Sequence, residues 1–180
     1  CGKILDLACG SGRLTNFATS GADASEEMLK IAQKKHSEKE FFQAKSNELP
    51  FEKESFQGCL TFHFIMHLNE VVFTKTIDEV HRILSKNGTF VFDIPVKSRR
   101  KILNQNQENW HAALSFNQDE IEKFIKNKFE IRKKFGLLII PIHRIPKRFR
   151  KYFLTFDFLL SNFGLLKNLS SYHIYELRKI

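Results

Sequence analysis

Residues 4–15 read ILDLACGSGRLT, an apolar run that leads into a Gly-x-Gly turn and then into a helix-like segment. An acid follows at Asp23, directly after the small residues Gly21 and Ala22. In doubly wound α/β sheets such glycines let the backbone approach a nucleotide-type ligand, and the acid that follows receives ribose hydroxyls. The pair therefore predicts a nucleotide-type cofactor site at the carboxyl ends of the first two strands.

The composition of the turn narrows the class of ligand. Dinucleotide-binding loops carry a third glycine in G-x-G-x-x-G and place a pyrophosphate on a helix N-terminus. Here Thr15 occupies the third position, and Asp6 precedes the turn. Such a loop is poorly matched to a dianionic pyrophosphate and favours a ligand with a ribose and a cationic or amine group. The glycines alone leave a second interpretation open, a tight strand-to-helix turn without a ligand.

Four motifs together resemble the class I S-adenosylmethionine-dependent methyltransferases. They occupy residues 4–15, 21–29, 47–57 and 78–90, in the order found in that family. The resemblance covers roughly residues 1–95 and implies an enzyme that transfers a methyl group from S-adenosyl-L-methionine. It also implies a cofactor site in which Asp6 and the backbone of residues 8–12 meet the methionine part.

The same resemblance assigns further cofactor contacts. Asp23 would hold the ribose hydroxyls, and Met28 or Leu49 would flank the adenine. Loops at the carboxyl ends of the strands supply the other candidates. The complete set of predicted cofactor-binding residues is Asp6, Ala8, Cys9, Gly10, Gly12, Asp23, Ala24, Met28, Ser46, Asn47, Leu49 and Phe64.

Two features depart from the family pattern. Family members usually carry an acid before the Leu-Pro-Phe loop, where it meets the adenine amino group, and this sequence has Lys45 there. Asn47 or the backbone of Ser46 are the candidate substitutes. In addition, Asp23 follows Gly10 by only 13 residues, against about 20 in the usual pattern. The helix after the turn is therefore expected to have only about two turns.

Three side chains are candidates for acid–base chemistry. A sulfonium is already activated, so the protein mainly supplies orientation and a dry cavity, and a base is needed only if the acceptor must lose a proton. His67, near the end of the fourth predicted strand, is the first candidate, followed by His63 and Asp93; a purely structural His67 is the alternative. Trp110, His111 and His143 are expected to shape the acceptor pocket.

Charge is concentrated in the last part of the chain. Residues 1–131 carry no net charge, and residues 132–180 carry the whole excess of +9. A one-sided basic region favours an anionic partner, either nucleic acid, an anionic membrane surface or an acidic small molecule. The alternative is a solvated basic surface.

Three functions follow as hypotheses. The first is methyl transfer to a small-molecule or lipid-like acceptor. The second is a nucleic-acid (RNA or tRNA) methyltransferase, although residues 61–64 read TFHF and lack the Asn-Pro-Pro-aromatic type of signature used for methylating base amino groups. The third is a non-catalytic binding protein with a degenerate methyltransferase fold.

The predicted fold is α/β: a doubly wound, Rossmann-like, mostly parallel seven-stranded sheet with an antiparallel last strand. We expect one methyltransferase domain over 1–180, with a cofactor-binding half at 1–95, a substrate-side half at 96–180 and a basic aromatic insertion at about 137–168. Alternating apolar runs and helical spacing support this architecture. The predicted strands cover about 3–8, 20–23, 40–43, 57–64, 89–94, 129–135 and 172–178.

The helices are predicted from capping signals and apolar spacing. They begin at Ser11, after the N-cap Ser25, at about residue 69 and at Asn117, where Glu120 completes a capping box. Asn87-Gly88 is expected to end the third of them.

Pro146 opens an amphipathic helix with a basic N-terminal half. This helix is expected to pack on the sheet through its aromatic stripe, to cover the acceptor as a lid, or to touch anionic lipid. The stripe consists of Phe149, Tyr152, Phe153, Phe156, Leu159, Leu160 and Phe163.

Composition sets the remaining expectations. No run of about 18 uncharged apolar residues occurs, so no membrane span is expected. Three widely separated cysteines argue for a reducing cytoplasm, with neither a disulfide framework nor a metal site. The start at Cys1, immediately before the first strand, indicates that an N-terminal piece is missing.

Overall fold

The chain forms a seven-stranded mixed sheet in a computed structural model that describes residues 2–96, 118–140 and 145–180. The strand order is β3-β2-β1-β4-β5-β7-β6. Strands β1 to β5 run parallel, and β7 is inserted antiparallel between β5 and β6. The predicted fold class is therefore confirmed. The strands are Ile4–Leu7 (β1), Ser20–Asp23 (β2), Glu40–Gln43 (β3), Phe56–Thr61 (β4), Leu84–Pro95 (β5), Phe129–Leu137 (β6) and Tyr172–Lys179 (β7).

Four α-helices accompany the sheet in the described part of the chain. They are Glu26–Lys35 (α1), Glu70–Ile83 (α2), Gln118–Ile125 (α3) and Arg150–Ser161 (α4). The hydroxyl of Ser25 accepts a hydrogen bond from the backbone N–H of Met28, and the Asn69 side chain accepts one from that of Val72. Helices α1 and α2 therefore each begin directly after a polar side chain that caps a free backbone N–H. The predicted N-cap of α3, Asn117, lies outside the described residues.

The connection from β1 to β2 differs from the expected helix. Residues 8–19 contain one 3₁₀ turn, Thr15–Phe17, where a helix from Ser11 was predicted. Parallel strands need a crossover of roughly a dozen residues or more. This connection is at that limit, so no length remains for two helical turns, and Phe17 is left exposed.

The end of α2 was also predicted wrongly. The helix ends at Ile83, and β5 begins at once with Leu84, which is buried and pairs with Phe56 of β4. Asn87, at a φ of 64°, then lies in an irregularity of the β4–β5 register. Asn tolerates this left-handed conformation, so the Asn-Gly pair forms a bulge inside the strand instead of a helix stop.

The hydrophobic core lies between the central strands and α2 with α3. Five of the nineteen phenylalanines are buried in it, and each large side chain that is fully buried contributes about 1.5–3 kcal/mol. Fully buried core side chains include Leu5, Leu7, Phe73, Ile77, Phe90, Phe92, Ile121 and Tyr175. This packing fixes the strands, and their carboxyl ends then hold the loops at which the candidate site lies.

Helix α4 does not pack on the sheet through its aromatic stripe, which was the first of the three arrangements expected for it. Tyr152, Phe156 and Leu159 are exposed, and the side chains that face the body of the protein are Asp157 and Ser161. No helix in the described ranges is long and apolar enough to cross a bilayer.

Candidate cofactor and acceptor site

The glycine turn after β1 carries the site's most constrained backbone. Ala8, Gly10 and Gly12 all have positive φ, at 56°, 53° and 75°. A Cβ on Gly12 would lie 2.9 Å from the ring of His36 at the end of α1, so that position must be glycine for the helix to pack. A Cβ on Gly10 would meet open space, which leaves its backbone accessible to a ligand.

Asp23 ties this turn to the end of β2. Its Oδ2 accepts the backbone N–H of Gly10 at 2.8 Å, and its Oδ1 accepts that of Ser25 at 2.9 Å. The N–H of Gly12 donates to the Cys9 carbonyl at 3.0 Å. Two N–H groups of the turn are thus bonded within the protein, whereas a phosphate-binding loop directs such groups at its ligand. Fewer N–H groups of this turn are therefore available to a phosphate than in such a loop.

Two carboxylates, Asp6 and Asp23, lie close to the glycine turn. Asp6 is buried, and its Oδ2 accepts the Thr15 hydroxyl at 2.6 Å. Burial raises the pKa of Asp6, and the nearby charge of Asp23 adds to the rise. Burial, together with the same two carboxylates, raises the pKa of the Cys9 thiol to about 12, so Cys9 is not a nucleophile at neutral pH. A cationic ligand group would be favoured at this point.

Two cavities lie near Asp23, which itself lines neither of them. The first has a volume of about 220 Å³, and the second has about 610 Å³. Gly10, which Asp23 binds, lines the first cavity, and the next residue, Ala24, lines the second. The first is lined by Asp6, Ala8, Cys9, Gly10, Ser11, Arg13, Leu14 and Phe62. The second is lined by Ala24, Gln43, Ala44, Lys45, Glu48, Leu49 and Pro50.

An ion pair on α2 holds the loop beside the second cavity. Arg82 donates to the carbonyls of Phe51 and Leu49 at 2.6 and 3.0 Å and to Glu79 at 2.8 Å. Glu79 in turn accepts the backbone N–H of Leu49 at 2.7 Å. The hydrogen bond from Arg82 lowers the pKa of Glu79. This clamp fixes the Leu-Pro-Phe loop, and the cavity wall with it.

The predicted cofactor residues are distributed over these surfaces. Asp6, Ala8, Cys9 and Gly10 line the first cavity, and Ala24 and Leu49 line the second. Other candidates lie elsewhere: Met28 is exposed on α1, the Ser46 hydroxyl is bonded to Thr76 at 2.8 Å, Asn47 is half-buried in the loop, and Phe64 packs on the core.

Sequence reasoning missed several lining residues. Arg13 and Leu14 follow the glycine turn, Gln43 ends β3, and Phe62 follows β4. Their position just after strands that end at one edge of the sheet was the available signal. Lys45, noted only as a departure from the family, lines the second cavity beside Glu48, to which its backbone is paired in an isolated bridge.

His63 and Asp93 meet at the carboxyl ends of β4 and β5. The backbone N–H of His63 donates to Asp93 Oδ1 at 2.7 Å, and His63 Nδ1 lies 3.7 Å from Oδ2. Burial raises the pKa of Asp93, and the contacts with His63 and the charge of Arg13 partly offset this. Arg13 lines the first cavity, so its charge acts on both the candidate cofactor site and this carboxylate.

The remaining predicted acceptor-side residues are less closely grouped. The imidazole of His63 makes an edge contact with Tyr172, with ring centroids 5.8 Å apart. His67 ends a 3₁₀ turn, Ile65–His67, and its side chain is exposed. Trp110, His111 and His143 lie outside the described residues.

Comparison with known proteins places this geometry in a family. Residues 5–92 match a family described as "Methyltransferase domain". A solved structure from Thermotoga maritima, titled as an S-adenosylmethionine-dependent methyltransferase and possible histamine N-methyltransferase, has the same fold; its TM-score is 0.75 at 19% identity, over 100% of this chain and 83% of that one. The chain is therefore similar to the S-adenosylmethionine-dependent methyltransferases, by sequence over residues 5–92 and by fold over its whole length.

Relatives by sequence carry the same family name. The putative methyltransferase YqeM of Bacillus subtilis is 33% identical over 106 residues, which are 52% of this chain and 42% of that protein. A demethylmenaquinone methyltransferase of Chlorobaculum tepidum is 28% identical over 108 residues, 56% of this chain and 44% of that protein. The chain thus spans less than half the length of these methyltransferase relatives.

Proposed function

We propose that this chain binds S-adenosyl-L-methionine around Asp23 and transfers its methyl group to a small acceptor. The observation that carries the proposal is that Asp23, at the end of β2, bonds the backbone of Gly10, which lines one cavity, and is followed by Ala24, which lines the other. S-adenosyl-L-methionine combines a cationic end, a ribose and an adenine ring, and the site offers a suitable surface to each of the three.

The residues present fit such a cofactor. Each carboxylate oxygen of Asp23 has one lone pair engaged by a backbone N–H, and the others remain for the ribose hydroxyls. Asp6, which lines the first cavity, and Asp23, which bonds its Gly10, are the carboxylates available to the ammonium and sulfonium end. Leu49 in the second cavity offers an apolar surface to the adenine ring.

The chemistry that S-adenosylmethionine supplies when bound is a methyl group already activated for transfer. The protein's own contribution is then orientation, exclusion of water and, for an acceptor hydroxyl, removal of its proton. His63 is the base in this proposal. Asp93 holds the His63 backbone, faces its Nδ1 side and stabilises the imidazolium that forms when Nε2 accepts the acceptor's proton.

A hydroxylated aromatic compound of the quinol type is the proposed acceptor. Two aromatic rings are available to the acceptor: Tyr172 makes an edge contact with His63, and Phe62 lines the first cavity. Such rings suit a flat apolar acceptor. The demethylmenaquinone methyltransferase among the relatives supports the same class of acceptor.

The test is transfer of a radiolabelled methyl group from S-adenosylmethionine to reduced demethylmenaquinone, with bulk tRNA as the competing acceptor. We expect label in the quinol fraction. Label in tRNA would instead support the nucleic-acid hypothesis. Cofactor binding without transfer to either acceptor would reject the quinol-type acceptor, and absence of cofactor binding would reject the proposal as a whole.

A further inference from the structure

Helix α4 is attached to the protein by its polar side. Asp157 and Ser161 are 2% and 0% exposed, whereas Phe156 and Leu159 are 55% and 65% exposed. A surface helix of a globular protein normally buries its apolar face and exposes its polar one. This helix does the reverse.

The inward contacts of α4 are directional hydrogen bonds. Both carboxylate oxygens of Asp157 accept backbone N–H groups, from Leu138 at 2.9 Å and from Ile140 at 2.7 Å. Just beyond the helix, Asn162 exchanges two hydrogen bonds with the backbone of Gly136, at 3.0 and 3.3 Å. Turning the aromatic side inward would leave Asp157 and its backbone donors without partners, so these hydrogen bonds determine the orientation of α4.

The end of α4 also lies so close to β6 that a residue larger than glycine does not fit at position 136. A Cβ on Gly136 would lie 2.3 Å from the carbonyl oxygen of Ser161. One aromatic side chain of α4 does reach the sheet, since Phe158 stacks on Phe135 with ring centroids 6.3 Å apart. Most of the aromatic surface nevertheless faces outward, including Phe163, which is 75% exposed.

Cations cluster at the N-terminal end of this apolar surface. Lys147, Arg148, Arg150 and Lys151 lie within one and a half turns, in or next to the first turn of α4. Arg148 lies over the ring of Phe149 at 4.7 Å, and Lys151 lies over that of Tyr152 at 5.4 Å, so charge and aromatic surface are interleaved. Cations at a helix N-terminus are unfavourable for the helix dipole, which indicates that they serve an external anion.

The sequence supplies no acidic counterpart on this surface. Residues 145–169 contain a single acid, Asp157, and it is buried and bonded to backbone amides. A second copy of the chain, paired through this same surface, would therefore bring cations against cations or against an uncharged apolar surface. Nucleic acid would satisfy the cations but would leave Leu154, Leu159 and the other exposed aliphatic groups in water.

We propose that α4 lies in the headgroup layer of an anionic bilayer. The lysines and arginines contact lipid phosphates, and the outward phenylalanines and leucines enter the boundary with the acyl chains, which is the arrangement of interfacial amphipathic helices. This inference goes beyond the proposed methyl transfer and does not depend on it, because it concerns a surface of β6 and α4 and not the cofactor site.

The test is flotation of the whole protein with vesicles of equal parts phosphatidylglycerol and phosphatidylcholine, and with vesicles of phosphatidylcholine alone. We expect binding to the anionic vesicles that weakens as salt is raised, because screening shortens the reach of the cations. Arg148→Glu with Lys151→Glu should lower the partition coefficient at least about twentyfold, since each cation lost is worth about fivefold. Phe156→Ser with Leu159→Ser should lower it at least about tenfold.

A matched control is Val71→Ser, which changes a side chain of α2 that is 67% exposed and should leave flotation unchanged. All five substituted side chains are exposed, so circular dichroism and the melting temperature should match those of the parent protein. Failure of the intact protein to float with anionic vesicles at low salt would overturn the proposal. Flotation that neither double variant weakens would also overturn it. The same holds for a stable dimer in lipid-free buffer that Phe156→Ser disperses, and for RNA binding by the same cations without vesicle binding.

Discussion

Asp93 binds His63 from two directions, accepting its backbone N–H at 2.7 Å and lying 3.7 Å from Nδ1 of its ring. The second distance is too long for a hydrogen bond but short enough for the carboxylate to stabilise a charged imidazole. His63 also has a φ of 56°, a conformation uncommon for a residue other than glycine. The backbone contact to Asp93 is one of the interactions that hold it there.

His63→Ala should lower kcat for methyl transfer by about 10² to 10⁴, the usual contribution of a positioned general base. The dissociation constant of S-adenosylhomocysteine should not change, because His63 is placed on the acceptor side. The rate is measured with radiolabelled cofactor and the affinity by calorimetry. His67→Ala is the control and should change the rate by no more than a few-fold; the opposite ranking of the two variants would contradict the assignment of the base.

Lys45→Asp should tighten cofactor binding about fivefold. A carboxylate next to the second cavity can accept a hydrogen bond from the adenine amino group, an interaction worth about 1 kcal/mol. Calorimetric titration with S-adenosylhomocysteine measures the change. Lys45→Ala separates the causes, because it removes the ammonium group without adding an acceptor; an equal gain in that variant would show that the new acceptor is irrelevant.

The Glu79–Arg82 clamp should make stability depend on pH. The pKa of Glu79 is lowered in the folded protein, so its ionised form adds stability above the unfolded-state pKa of about 4.3, and that contribution is lost as the pH falls through the folded-state value. Glu79→Gln should therefore reduce the free energy of unfolding near pH 7 and make progressively less difference towards pH 2. Urea unfolding at a series of pH values measures this.

Arg82→Ala provides the second arm of that experiment. It should cost about 1–2 kcal/mol, the low end for charged hydrogen bonds, because the Arg82 side chain is 35% exposed and partly screened. In the Arg82→Ala background, Glu79→Gln should lose most of its pH-dependent effect. If the effect persists undiminished, the ionisation being observed does not belong to this pair.

Asp157→Ala should destabilise the attachment of α4 to β6. Two partly buried backbone N–H groups, those of Leu138 and Ile140, would lose their acceptor, at a cost of about 1–3 kcal/mol. Hydrogen exchange at these two amides should accelerate, and amides of the central strands should exchange as before until global unfolding. Asp157→Asn keeps one carbonyl acceptor and should have a smaller effect; unchanged exchange in both variants would contradict the described docking.

The sheet was predictable from sequence because the motifs fix its strands. Asp23 had to end β2, and Ser25 had to cap α1, since an acid and a capping hydroxyl follow in fixed register after the small residues of the strand. The shortness of the β1–β2 connection was also visible in the spacing from Gly10 to Asp23. What could not be read was how the chain would shorten, because a 3₁₀ turn and a trimmed helix have similar sequence requirements.

The acceptor side was less predictable because it depends on where β4 ends. A strand predicted to reach Phe64 put His67 near its end, whereas the strand ends at Thr61 and the histidine that contacts Asp93 is His63. The role of either histidine as a base stays a prediction. The orientation of α4 was hidden for a different reason. Periodicity shows that a helix has an apolar side but not which side faces inward, and here Asp157 binds backbone of residues 138 and 140, far away in the sequence.

The most direct measurement is calorimetric titration of S-adenosylhomocysteine into the intact protein and into Asp23→Ala. The account predicts one bound molecule per chain and at least a tenfold weaker affinity in the variant, because the ribose loses its acceptor and Gly10 and Ser25 lose the group that aligns them. Asp6→Asn, which keeps an acceptor for Thr15, should retain binding more closely to the parent's. Absence of binding to the intact protein, or equal affinity in Asp23→Ala, would contradict the proposed cofactor site.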